Sequence, residues 1–173
     1  MESAPRPRER NYRNSPGFKG YEIDYTSQYT TVHGREADKF CPGERSEVVE
    51  KGQTLVTTED LIGCRVTCAL YPDFGLVTHF GPGELRANAQ AIMNENPPDN
   101  PEKLIVFELG DERMLKVWGQ DENYPVTRAG LLDILQKIFP DTEIDIEKYE
   151  YGSRVVVDYT TDSPQAYSQK PPY

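Results

Sequence analysis

Leu61-Ile-Gly-Cys64-Arg-Val-Thr-Cys68-Ala-Leu-Tyr71-Pro-Asp-Phe-Gly75-Leu-Val-Thr-His79-Phe80 is the stretch on which the fold turns. Two runs rich in β-branched residues, Arg65–Tyr71 and Leu76–Phe80, flank a Pro-Asp-Phe-Gly segment. That pattern predicts two strands joined by a hairpin connection at Tyr71–Gly75. Cys64 stands seven residues before Tyr71 and His79 stands five after Phe74, so antiparallel pairing brings both to the same open end. Gly63, directly before Cys64 where a loop enters a strand, allows close backbone approach at that strand mouth.

The punctuation continues on both sides. Ser46–Glu50, Gln53–Thr57, Leu104–Leu109 and Met114–Trp118 are further short runs bounded by Gly, Pro and Asp, and each reads as a strand. Two segments have helical spacing instead. One is Glu84–Asn94, after Pro82-Gly83. The other is Val126–Phe139, where Leu131, Ile134, Leu135 and Ile138 follow the i, i+3, i+4, i+7 rule, Thr127 offers a cap and Pro140 stops the helix. Thr142–Ile146 and Arg154–Tyr159 read as closing strands. The expected fold class is therefore α+β, a layered α/β domain with a mostly antiparallel sheet or sandwich core flanked by two main helices.

A chain of 173 residues is expected to form one domain with a real core. Residues 1–20 carry Arg6, Arg8, Arg10, Arg13 and Lys19 against Glu2 and Glu9, a net +3, whereas the whole chain carries −10. An arm so polar and so rich in proline buries too little surface to offset its ordering entropy. The division expected is a basic and Tyr-rich arm over 1–42, disordered or wrapping the domain, a catalytic domain over 43–160, and a flexible Pro, Ser, Gln and Tyr tail over 161–173. The acidic balance repels phosphate backbones, which argues against nucleic acid as the main partner. No apolar run approaches a membrane span, and no apolar segment follows the basic amino terminus as in a cleavable signal. A cytoplasmic monomer is expected, or a protein exported without a cleavable signal to act in a host cytosol. Three cysteines, Cys41, Cys64 and Cys68, do not make a disulfide framework.

No Walker loop, dinucleotide fingerprint, H-E-x-x-H or C-x-x-C is present. What remains is Cys64 with His79. A thiol beside an imidazole gives up its proton readily, and a thiolate attacks carbonyl carbon far better than a thiol does. Thr58, six residues before Cys64, is the nearest hydroxyl that could orient the base. The competing reading is a small buried hydrophobe at a strand start. Cys68, on the same face but roughly 13 Å along the strand, is read as core. Zinc bound by Cys41, Cys64, Cys68 and His79 fits no familiar spacing, so neither metal nor organic cofactor is expected.

Leu61-Ile62-Gly63-Cys64 resembles the L-x-G-C motif of the glutamine deamidases typified by cytotoxic necrotizing factor and Burkholderia lethal factor. It is also similar to the cysteine segment of the chemoreceptor deamidases of the CheD type. Glu47–Thr58 resembles the strand pair leading to the CheD cysteine, Leu76–Phe80 its histidine strand, and Val126–Phe139 with Ile144–Ile146 and Arg154–Asp158 its final helix and closing strands. The likeness spans Ser46–Tyr159. CheD proteins usually carry Ser before the cysteine where this chain has Gly63, and they lack the Arg/Pro arm, so the toxin type is nearer.

The resemblance implies Cys64 as nucleophile, His79 as general base, Thr58 as the group orienting it, and Gly63 framing the cysteine and, with Cys64, the oxyanion. It implies hydrolysis of a glutamine side chain in a protein substrate, as in a toxin or effector. The alternatives are a chemoreceptor-type deamidase and a non-enzymatic protein-binding module on the same fold.

Overall fold

The computed structural model describes residues 31–43, 45–57, 61, 64–80, 100–110 and 128–170. In chain order these form β1 (Thr31–Val32), β2 (Arg35–Glu36), β3 (Lys39–Cys41), β4 (Arg45–Glu50), β5 (Thr54–Thr57), β6 (Arg65–Leu70), β7 (Phe74–Phe80) and β8 (Lys103–Leu109). The helix α1 (Arg128–Ile138) follows, then β9 (Ile144–Tyr149), β10 (Arg154–Asp158) and β11 (Gln165–Gln169). The described part is mostly β-sheet with one helix, broadly α+β. The helix expected over Glu84–Asn94 and the strand expected over Met114–Trp118 lie outside the described residues.

Two open sheets and a short ladder carry the fold. The larger sheet has the order β4-β7-β6-β8-β9 and the smaller β11-β10-β5-β3, while β1 pairs only with β2. All pairings are antiparallel except β3 with β5 and β8 with β9. The parallel β8–β9 pair needs a crossover, and α1 lies within that connection.

Strict alternation along the central strands sorts the core into layers. Val66, Cys68, Val77, Ile105, Phe107 and Leu109 of the larger sheet meet Leu55, Val155 and Val157 of the smaller one. On the other face of the larger sheet Ala69, Leu76, Leu104 and Val106 pack against Leu131, Leu135 and Phe139 at α1. The far face of the smaller sheet, Val56 and Val156, is covered by Val32 and Ala37 from the β1–β2 hairpin. The order of layers is helix, five-stranded sheet, four-stranded sheet, hairpin.

The β6–β7 connection is the hairpin read from the sequence. The N–H of Tyr71 donates to the Phe74 carbonyl at 2.9 Å, and the two rings stack with centroids 4.5 Å apart. Gly75 is required there by close approach: a Cβ would sit 2.9 Å from the Tyr159 ring and 3.0 Å from Val49. Gly52, at φ 86° within a turn closed by Gln53 N–H on the Glu50 carbonyl, supplies the left-handed conformation that a type II turn demands.

Two boundaries differ from the sequence expectation. The stretch expected as a flexible tail holds β11, which pairs along its whole length with β10. As an edge strand it needs no apolar alternation, so composition alone mistook it for a tail. The stretch expected as an arm holds β3, whose Phe40 and Cys41 pair with Val56 and Thr57 and complete the smaller sheet.

Candidate functional site

The register of the hairpin sets the two sequence-predicted residues at diagonal positions, while His79 Nε2 makes no hydrogen bond to the Cys64 thiol. Val66 of β6 stands opposite His79 of β7. Cys64, two residues earlier and on the same inner face as Val66, is then the diagonal neighbour of His79, with α-carbons about 7–8 Å apart. Both sit at the end of the larger sheet remote from the hairpin. Cys64 is 7% exposed and His79 is 0% exposed.

His79 is held by main chain. Its Nδ1 lies 3.3 Å from the Cys41 carbonyl oxygen, which can only accept, so the ring proton resides on Nδ1. Nε2 therefore bears the lone pair. It is buried and finds no hydrogen-bond partner among the described residues. Burial drives the His79 pKa down to about 4, with the Cys41 carbonyl working against that shift, so the ring is neutral at pH 7. A neutral imidazole with a bare, buried Nε2 is a proton acceptor awaiting a donor. A nitrogen left so costs stability, about 1–3 kcal/mol.

Cys64 is fixed from β9. The Tyr149 hydroxyl, buried, donates to the Cys64 carbonyl at 2.6 Å. Extending the β6–β8 register two positions past Val66 opposite Phe107 aligns Cys64 with Leu109, which pairs with Tyr149. Three residues before Cys64, Leu61 is fastened to the turn after β9: its N–H donates to the Ser153 carbonyl and its carbonyl accepts from Gly152 N–H, each at 2.9 Å. The Tyr149–Ser153 segment thus grips the chain on both sides of 62–63.

The outer face of the same end is charged. Glu108, 1% exposed, accepts from Arg128 through Nε at 3.0 Å and through Nη2, and from Lys148 Nζ, while Arg65 Nε lies 3.7 Å away. Burial alone would raise the Glu108 pKa, but hydrogen bonds and charge from Arg128 and Lys148 outweigh it and hold the carboxyl below its ordinary range. Arg65 and Cys64, adjacent in sequence, thus serve opposite faces: one a surface-side ion cluster, the other the inner layer.

Thr58 and Gly63 lie outside the described residues. Nδ1 of His79 is already engaged by Cys41, so the orienting role that the resemblance assigns to Thr58 has a main-chain occupant. Cys68 is fully buried in the inner layer, and burial pushes its thiol pKa far up, as befits a core residue. Cys41, also fully buried, has its Sγ 3.8 Å from the Val77 carbonyl. Sequence reasoning missed the Cys41 carbonyl and the Tyr149 hydroxyl. A main-chain acceptor has no side-chain signature, and Tyr149 is 85 residues from the group it holds.

Among the described residues no group of three His, Cys, Asp or Glu side chains could hold a metal ion. No described helix is long and apolar enough to cross a membrane. No protein-family model matches the chain, and no curated protein matches it.

Proposed function

We propose that the protein is a cysteine-dependent deamidase, hydrolysing a glutamine side chain of a protein substrate to glutamate on a fold of the necrotizing-factor and CheD type. The observation that carries the reading is the bare Nε2 of a neutral, buried His79 diagonal to Cys64. Burial of an unsatisfied nitrogen is costly and calls for a chemical reason. Accepting the thiol proton of Cys64 is such a reason.

In the proposed cycle His79 Nε2 takes the Cys64 proton as sulfur adds to the carboxamide carbon. The resulting oxyanion is met by backbone N–H groups at Gly63 and Cys64. The C–N bond breaks as His79 returns the proton to nitrogen, releasing ammonia and leaving a thioester on Cys64. Water then adds to the thioester, giving a proton to Nε2, and collapse restores the thiol and releases glutamate. One water is consumed and one ammonia leaves per amide. The resting pair is thiol and neutral imidazole, so the proton moves with substrate attack.

The test is ammonia release from carbobenzoxy-glutaminyl-glycine and from casein, with Cys64→Ala as control. Release by the wild type and none by the variant supports the reading; equal release by both overturns it. The low exposure of Cys64 and His79 favours a second reading, a non-enzymatic protein-binding module in which both are core residues. Absence of release from both probes, with Cys64 no faster to alkylate than the fully buried Cys68, decides for it.

A further inference from the structure

The Tyr149 hydroxyl has a partner unlike that of the other buried tyrosine in the same inner layer. Tyr159 ties down a turn, its hydroxyl reaching the Tyr71 and Phe74 carbonyls at 2.8 and 2.5 Å, far along the sheet from Cys64. Tyr149 reaches instead the main chain of the candidate nucleophile, from the outermost strand of the sheet and past the intervening β8. Cys64 directly precedes β6, at the strand mouth. Its carbonyl accepts from the Tyr149 side chain. The paired hydrogen bonds of Leu61 with the turn after β9 anchor the preceding residues to the same segment.

From this geometry we infer that Tyr149 is a positioning residue, holding Cys64 at its place diagonal to His79 by fixing the Cys64 carbonyl. The inference rests on the deamidase reading, since without a working Cys64–His79 pair there is nothing for Tyr149 to position. It assigns to the turn-bearing end of β9 a share of the chemistry, although Tyr149 touches no substrate. A hydroxyl-to-carbonyl bond restrains the peptide plane between Cys64 and Arg65. A displacement of about 1 Å there is enough to separate a nucleophile from its base.

The test is a double-mutant cycle read by iodoacetamide alkylation of Cys64 at pH 7, followed by peptide mass spectrometry, with His79→Ala and Tyr149→Phe alone and together. Tyr159→Phe, which also removes a buried tyrosine hydroxyl, controls for lost stability. The expected result is a slowing of about tenfold in His79→Ala, because Nε2 takes the thiol proton as sulfur attacks the reagent, a similar slowing in Tyr149→Phe, and no further slowing when the two are combined. Tyr159→Phe leaves the rate and its His79 dependence unchanged.

Where Tyr149→Phe does not fold, 4-methylphenylalanine at 149 fills the same volume without a donor and is expected to lose the His79 dependence. There 4-aminophenylalanine, which keeps an N–H donor, is expected to restore it. Full His79 dependence in the donorless variants overturns the positioning role and leaves the deamidase reading standing. A wild-type rate already indifferent to His79 overturns the poised pair itself, and with it this inference.

Discussion

The two ends of the β6–β7 hairpin solve different problems. At the Tyr71–Phe74 end, a glycine lies under the Tyr159 ring and the tyrosine hydroxyl closes on two turn carbonyls. At the Cys64–His79 end, a second tyrosine hydroxyl closes on a carbonyl, yet a histidine nitrogen is left bare in the inner layer. Both ends belong to one ladder with one unbroken register from Arg65–Phe80 to Leu70–Gly75. The difference is therefore one of side-chain chemistry on a shared backbone. One end is optimised for closure; the other keeps a cost of the kind that stability alone would remove.

The largest expected effect strikes only the second end. Cys64→Ala reduces ammonia release to the uncatalysed background while the fold persists, as seen by circular dichroism, because a small thiol gives way to a small methyl. His79→Ala follows, lowering kcat by about 10²–10⁴-fold, the contribution usual for a positioned general base. Steady-state kinetics on the same glutamine probes measures both, and a loss under about tenfold in His79→Ala would remove the base from the account.

Acid separates the ends next. His79 titrates near 4 in the folded chain against 6.5 in its ordinary state, so between those values the unfolded chain binds the more protons. Stability therefore falls as pH drops from 6.5 to 4 and this contribution then levels, with about 3 kcal/mol at stake. Glu108 and Asp158 are both held below the usual carboxylate range, so their losses come at lower pH. Urea melts across pH 4–7 should show the slope in the wild type and a flatter profile in His79→Leu. The smallest effect belongs to the hairpin end, where Gly75→Ala forces a methyl against the Tyr159 ring and costs about 1–3 kcal/mol. Thermal melts give that figure, and Cys64 alkylation should stay at the wild-type rate.

The hairpin was legible because its cues are local: alternating apolar residues on both sides of Pro72-Asp73 and a glycine at 75. Leu104–Leu109 and the α1 stripe of Leu131, Ile134 and Leu135 were legible for the same reason, since a buried face imposes its period on the sequence. The diagonal placement of Cys64 and His79 followed from counting along that hairpin. By contrast β11 is polar at an exposed edge, and β3 joins its sheet through a parallel pairing with β5 that no turn announces. The acceptor for His79 is the main chain of Cys41, and the donor to Cys64 comes from Tyr149 across the intervening β8. Such contacts are set by topology, and no local pattern carries them.

His79 is a neutral imidazole with its lone pair on Nε2, in the inner layer diagonal to Cys64. His79 is one of only two histidines, so its ring nitrogens can be assigned in a long-range proton–nitrogen NMR spectrum. Followed across pH 3–8, the spectrum is predicted to show a neutral ring at pH 7, protonated on Nδ1, titrating near 4. A ring that is already imidazolium at pH 7, or one that carries its proton on Nε2, would contradict the account.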